Sequence, residues 1–151
     1  MNSLSKYLVD SILEEDGKIK DIVVVYSGRF QPFHKGHYAT YTHLVKKFGK
    51  DNVFIATSDV VKKPKSPFNF NEKVKIITTM FGIPKSKIIK IKNPYKPIEI
   101  LEKYNSNTTA YIAVVGEKDK NRFGGKYFKQ CNGNPTERYL DGGYVYASPS
   151  Q

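Results

Sequence analysis

Short apolar runs recur along the chain at nearly regular intervals: VVVY at 23–26, VFIA at 53–56, IIKI at 88–91 and YIAVV at 111–115. Each is rich in β-branched residues and lacks the strict in–out alternation of a sheet with one wet face, so each predicts a buried strand. The strands should cover about 22–27, 52–57, 87–92 and 109–115. Between them, apolar residues return every three or four positions, the period of a helix with one buried face. That spacing predicts helices over roughly 37–48, ended by Gly49, over 70–82, ended by Gly82-Ile83-Pro84, and over a shorter stretch at 97–104. Strands alternating with amphipathic helices imply parallel βαβ units, an α/β domain whose ligands bind beyond the carboxyl ends of the strands.

The two ends of the chain read differently. Residues 3–15 fit a short amphipathic helix with Leu4, Tyr7, Leu8 and Ile12 near one face, Ser3 as its cap and Asp16-Gly17 as its stop. They suggest a helical extension over 1–20 before a single domain at 21–151. After Gly116 the periodicity fades through 117–142, where Gly124-Gly125, Gly133 and Gly142-Gly143 read as turns. Tyr144-Val145-Tyr146-Ala147 then reads as a fifth strand.

Charge and cysteine content narrow the function classes. There are 25 Lys and Arg against 14 Asp and Glu, a formal net charge of +11. Such an excess favours polyanionic partners, although scattered, solvated lysines account for it equally well. Cys131 is the only cysteine, which excludes an internal disulfide and a cysteine-based zinc site within one chain. No apolar run approaches the roughly 20 residues of a membrane span. No secretory signal pattern opens the chain, so no membrane partner is expected and a reducing cytoplasm is the expected setting.

The candidate chemistry lies where the first strand hands over to its helix, in Tyr26-Ser27-Gly28-Arg29-Phe30-Gln31-Pro32-Phe33-His34-Lys35-Gly36-His37. In an α/β sheet this is the position for a phosphate, favoured by free N–H groups of the first helical turn and by the helix dipole. Gly28 allows the backbone to turn and approach a ligand, and Gly36 leaves room between the two histidines. His34 and His37 are three residues apart, so their imidazoles can project to one side. No third ligand stands at metal-site spacing, and no Ser-His-Asp or Cys-His set is evident. Two imidazoles can instead donate hydrogen bonds to phosphate oxygens and stabilise charge growing in a phosphoryl-type transfer. His43 falls on a different helical face and reads as structural.

The segment GRFQPFHKGH resembles the signature of the HxGH nucleotidyltransferases, the cytidylyltransferase-like superfamily. Among them the nicotinamide-nucleotide adenylyltransferase branch is the most similar. The resemblance spans about 22–119. It implies a doubly wound, Rossmann-like parallel sheet of about five strands with helices on both faces. It also implies transfer of a nucleoside monophosphate, AMP favoured over CMP, from a nucleoside triphosphate to a phosphorylated acceptor such as nicotinamide mononucleotide, with release of pyrophosphate. By that resemblance His34 and His37 contact the triphosphate, Lys35 assists, and Mg²⁺ accompanies the ATP or CTP. The backbone at Gly28, Arg29, Phe30 and Gly36 lies against the nucleotide.

Two further segments carry the likeness. Lys65-Ser66-Pro67-Phe68-Asn69-Phe70-Asn71-Glu72-Lys73 resembles the "NPF-T-x-x-ER" segment that opens a helix after strand two, with Lys73 in place of the family's Arg and, by that resemblance, among the nucleotide-binding residues. Asn69 or Asn71 is the expected cap. Val115-Gly116-Glu117-Lys118-Asp119 resembles the "GxD" turn after strand four, which places Gly116 and Asp119 at the nucleotide, with Lys118 and Arg122 in reach of phosphates. The family's late "S-x-T/S-x-x-R" phosphate-binding segment has no counterpart after Tyr146, and Ser148-Pro149-Ser150 does not match it. A chain truncated before that segment is therefore expected. The alternative is a non-catalytic nucleotide- or nucleic-acid-binding module on the same fold, with nucleic acid the less favoured partner. A class I aminoacyl-tRNA synthetase fragment fits less well, since the chain is short and has no KMSKS-like loop. Oligomeric state is left open, a homo-oligomer included.

Overall fold

A computed structural model of the protein describes residues 19–123 and 126–148. The expected helix over 3–15, the Gly124-Gly125 turn and the chain from Pro149 onward lie outside the described residues. Six strands form one all-parallel sheet: β1 Asp21–Ser27, β2 Val53–Thr57, β3 Ile88–Lys90, β4 Thr109–Gly116, β5 Phe128–Gln130 and β6 Gly143–Ser148, in the order β3-β2-β1-β4-β6-β5. The direction of strand progression reverses between β1 and β4, where Val25 pairs with Ala113 and Tyr26 with Val114. That reversal opens a crevice at the carboxyl ends of these two strands.

Successive residues of β1 feed opposite faces of the sheet. Val24 and Tyr26 pack with Leu44 of α1 (Lys35–Phe48) and Ile77 of α2 (Phe70–Phe81). Val23 and Val25 pack with Ile100 and Leu101 of α3 (Ile98–Leu101), and with Phe123 of a 3₁₀ segment at Glu117–Phe123. With β1 covered on both sides, alternation disappears from its sequence, which is why it reads as a continuous apolar run. The fold is the expected Rossmann-like α/β sheet. Among the described residues no helix is long and apolar enough to cross a membrane.

The departures have local causes. The additional strand, β5, is three residues long, half-exposed and at the sheet edge, too short to show a period. It forms because Gly142 and Gly143 let Tyr127 and Phe128 come close: a Cβ on Gly143 would stand 2.9 Å from both aromatic rings. Gly142 closes the expected turn, its N–H donating to the Arg138 carbonyl at 3.3 Å, and Gly143 opens β6. Helix α3 is one turn instead of the expected 97–104, because the chain tightens to i→i+3 bonds at Lys103 and Tyr104. Asn105 then caps its own turn by accepting from the Asn107 N–H. Helix α1 begins at Lys35, two residues before the expected start, and its cap is His34.

Candidate functional site

The turn between β1 and α1 is built by its aromatic residues. Phe30 is buried and adopts φ 49°, in the left-handed region. Its ring meets Tyr26 edge-on at 5.3 Å and His37 edge-on at 5.0 Å, and Phe33 at 5.2 Å. The same ring lies over Gly28, where an added Cβ would fall 2.7 Å from Phe30 Cζ. Glycine at 28 is thus required by the neighbouring phenylalanine, and the positive φ belongs to Phe30.

The histidines cap their own helix. His34 Nδ1 accepts from the Gly36 N–H at 3.0 Å, and His37 Nδ1 accepts from the His34 N–H at 3.1 Å, a reciprocal capping box made of two imidazoles. The helix start therefore does not present those two N–H groups free to an anion, as the sequence reading supposed. With both Nδ1 atoms accepting, the proton of each neutral ring sits on Nε2. The rings stack with centroids 3.7 Å apart, so the pair presents two Nε2–H donors side by side. Burial among Phe30, Phe33 and Tyr26, with the neighbouring His34 imidazole, pushes His37 down to about 4. At neutral pH it is an uncharged donor.

Beside this pair a cavity of about 500 Å³ opens at the β1–β4 crevice. It is lined by Ser27, Gly28 and Arg29 after β1, Ala56, Thr57, Ser58 and Val60 after β2, Ile91, Lys92, Pro94 and Tyr95 after β3, and Val115, Gly116, Asp119, Arg122 and Phe123 after β4. Arg29, Lys92 and Arg122 outnumber the one acid, Asp119, which suits an anionic ligand. Tyr95 and Phe123 form an aromatic wall with centroids 4.8 Å apart. Neither histidine lines the cavity; Gly28 and Arg29 join the two parts.

The expected site residues therefore fall into two groups, with Lys73 and Phe30 outside both. Gly28, Arg29, Gly116, Asp119 and Arg122 surround the cavity. His34, Lys35, Gly36 and His37 form the start of α1, with Lys35 exposed at its first position. Lys73 belongs to neither group. It is 1% exposed, and its ammonium donates to Thr57 Oγ1 at 3.0 Å and to the Ser58 carbonyl at 2.9 Å. Phe30 contributes buried packing and does not line the cavity. Asn69, not Asn71, caps α2, in a capping box with Glu72. His43 bonds Tyr146 at 2.7 Å and ties α1 to β6, a structural position.

Sequence reasoning missed Ser27, Thr57, Ser58, Lys92, Tyr95 and Phe123 as lining residues. The available signal was positional, since most of them follow the carboxyl end of a strand. A model of the cytidylyltransferase-like family matches residues 25–134, most of the chain and all of this site. A nicotinamide-nucleotide adenylyltransferase of Methanolobus tindarius is 36% identical over 52 residues. That match covers 34% of this chain and 30% of that relative.

Proposed function

The chain belongs to the cytidylyltransferase-like family, and on that premise we propose that it transfers AMP from ATP to a phosphorylated acceptor. Nicotinamide mononucleotide is the first acceptor to test, because the Methanolobus tindarius relative is named for a nicotinamide nucleotide. The observation that carries the reading is the stacked imidazole pair at a helix start, whose backbone-locked Nδ1 atoms leave the two Nε2–H groups as its donors.

In this reading an oxygen of the acceptor phosphate attacks the α-phosphorus in line. A new P–O bond forms, the bridge from the α- to the β-phosphorus breaks, and pyrophosphate leaves with the electron pair. No side chain supplies a nucleophile, so positioning and electrostatics do the work. His34 and His37 stabilise the charge that moves onto the departing oxygens, and Lys35 adds positive charge at the rim. Gly28, Arg29, Gly116, Asp119 and Arg122 hold the nucleotide and acceptor around the cavity. The Tyr95–Phe123 wall offers a face for a flat ring to stack on.

Among the described residues no three His, Cys, Asp or Glu side chains converge to hold a metal. In this reading a magnesium ion accompanies the triphosphate as part of the substrate. Pyrophosphate release with ATP or CTP, each with and without nicotinamide mononucleotide, tests the proposal. The His34→Ala protein should fold and release pyrophosphate at least ~10²-fold more slowly, the usual scale for losing one transition-state donor. Equal rates in the two proteins would sink it. Tight, steeply salt-dependent oligonucleotide binding without pyrophosphate release would favour the nucleic-acid-binding alternative, to which the +11 charge points.

A further inference from the structure

The segment that opens α2 reaches the β1–α1 turn at two places, once through Thr57 at the end of β2 and once directly. At the first, Lys73 donates to Thr57 Oγ1 at 3.0 Å, and Thr57 Oγ1 lies 2.7 Å from the Gly28 carbonyl and 3.3 Å from that of Arg29. An ammonium can only donate, so the threonine oxygen accepts from Lys73 and directs its single proton to the turn. The result is a one-way chain from cation to hydroxyl to carbonyl, buried at Lys73 and Thr57 and half-buried where it reaches Gly28, and a hydrogen bond out of water is stronger than one in it. At the second place, the Gln31 side-chain amide pairs with the Phe68 backbone, donating to its carbonyl and accepting from its N–H, both at 2.8 Å. This pairing imitates one rung of a sheet.

Between the two contacts sits Phe30, a non-glycine residue at φ 49°. Such a conformation costs free energy and persists only where its surroundings over-determine it. Gly28 and Arg29 are held on one side of it and Gln31 on the other. The Phe30 ring in turn stands edge-on to His37 at 5.0 Å, so the pose of the turn is also the pose of the imidazole.

We propose that Gln31, Thr57 and Lys73 are positioning residues: two clasps from the α2 segment hold Phe30 in its left-handed pose and thereby aim the His37 imidazole. The kinetic part of this inference rests on the nucleotidyl-transfer reading; the conformational part does not. Core stability gives little reason for a lysine at position 73, because burying an ammonium is costly and an apolar chain of similar length would fit.

The test uses the full chain with Lys73→Met, Thr57→Val, Thr57→Ser and Gln31→Ala. Three readouts are taken: amide exchange at Gly28, the NMR signals of the His37 ring, and pyrophosphate release with ATP. Lys73→Met is expected to keep or raise the melting temperature, yet to speed Gly28 exchange at least tenfold and shift the His37 signals. It should lower kcat at least tenfold with little change in the KM for ATP. Thr57→Val should behave alike and add little to Lys73→Met in the double variant, while Thr57→Ser, which keeps the hydroxyl, should match the parent. Gln31→Ala should compound the loss, as a separate clasp would. Parental exchange and parental His37 signals in both Lys73→Met and Thr57→Val would overturn the proposal, as would a parental kcat despite faster exchange. If Lys73→Met does not fold, the two Thr57 variants decide. If the parent releases no pyrophosphate, the transfer reading fails, and exchange and NMR still decide whether the clasps set the turn.

Discussion

The two walls of the β1–β4 crevice are made in opposite ways. On the β1 side the turn is fixed by close contacts: imidazoles cap the helix, Thr57 of β2, backed by the buried Lys73 of α2, bonds two carbonyls, and an aromatic ring fills the space over Gly28. On the β4 side, Asp119 and Arg122 meet each other at 3.6 Å with side chains 51% and 69% exposed, and an added Cβ on Gly116 would touch nothing within 4 Å. An exposed ion pair of that kind contributes about 0–1 kcal/mol. The contrast teaches that donor geometry resides in the β1 wall before any ligand arrives. The β4 wall contributes charge and an open edge.

Substitution should separate the walls by turnover first. His37→Ala is expected to lower the rate of pyrophosphate release by roughly 10²–10³, as removal of an aimed donor does. Arg122→Ala should raise the KM for nucleotide a few-fold at nearly constant kcat. Comparable kcat losses in both variants would erase the distinction.

Stability offers the next comparison. Gly28→Ala drives a methyl into the Phe30 ring and should cost about 1–3 kcal/mol in urea unfolding, in the range for overpacking. Part of that should return when Phe30→Leu is added. Gly116→Ala meets open space and should fall within about 0.5 kcal/mol of the parent. A large loss at 116 would mean that the β4 wall is as tightly set as the β1 wall.

Acid should also act on one wall. The His37 imidazole lies at about 4 in the folded protein against 6.5 unfolded, so between these values the unfolded chain binds the additional proton. Its contribution is complete above pH 6.5 and is lost as the pH falls toward 4. Between pH 6.5 and 5, above the ordinary carboxylate range, denaturant midpoints should decline in the parent and stay level in His37→Gln. A slope that survives the substitution would assign the effect elsewhere.

A small effect of the opposite sign is expected away from both walls. The Tyr111 hydroxyl is buried with no hydrogen-bond partner among the described residues, so Tyr111→Phe should unfold at the parental midpoint or slightly above it, by up to about 1 kcal/mol. A clear loss would reveal a partner for that hydroxyl.

How much of this was legible depended on whether a feature is local. Strands β1, β2 and β4 announce themselves because both their faces are buried, and the GRFQPFHKGH turn because its residues are contiguous. Helix α2 was readable from Asn69 and Glu72, which satisfy one another across three residues. Strand β5 was not, since three half-exposed residues become a strand only when β6 pairs with them. The cavity lining from β2 and β3 was likewise out of view, because Thr57, Ser58, Lys92 and Tyr95 meet Gly28 only after the strands align. Lys73 shows the limit most clearly. Its place in a family-like segment was readable, but its burial against Thr57, 16 positions away, was not.

The sequence alone determined the alternation of buried strands and amphipathic helices, the site at the end of β1, and two histidines at a spacing that lets them face one way. These follow from periodicity, turn residues and one uninterrupted motif, all properties of neighbouring residues. Tertiary structure decided which nitrogen of each imidazole is taken up by the backbone, why position 28 must be glycine, and that Lys73 is buried against Thr57 and does not line the cavity. Those depend on contacts between segments brought together only when the sheet closes, where burial, hydrogen-bond direction and ring packing set the outcome.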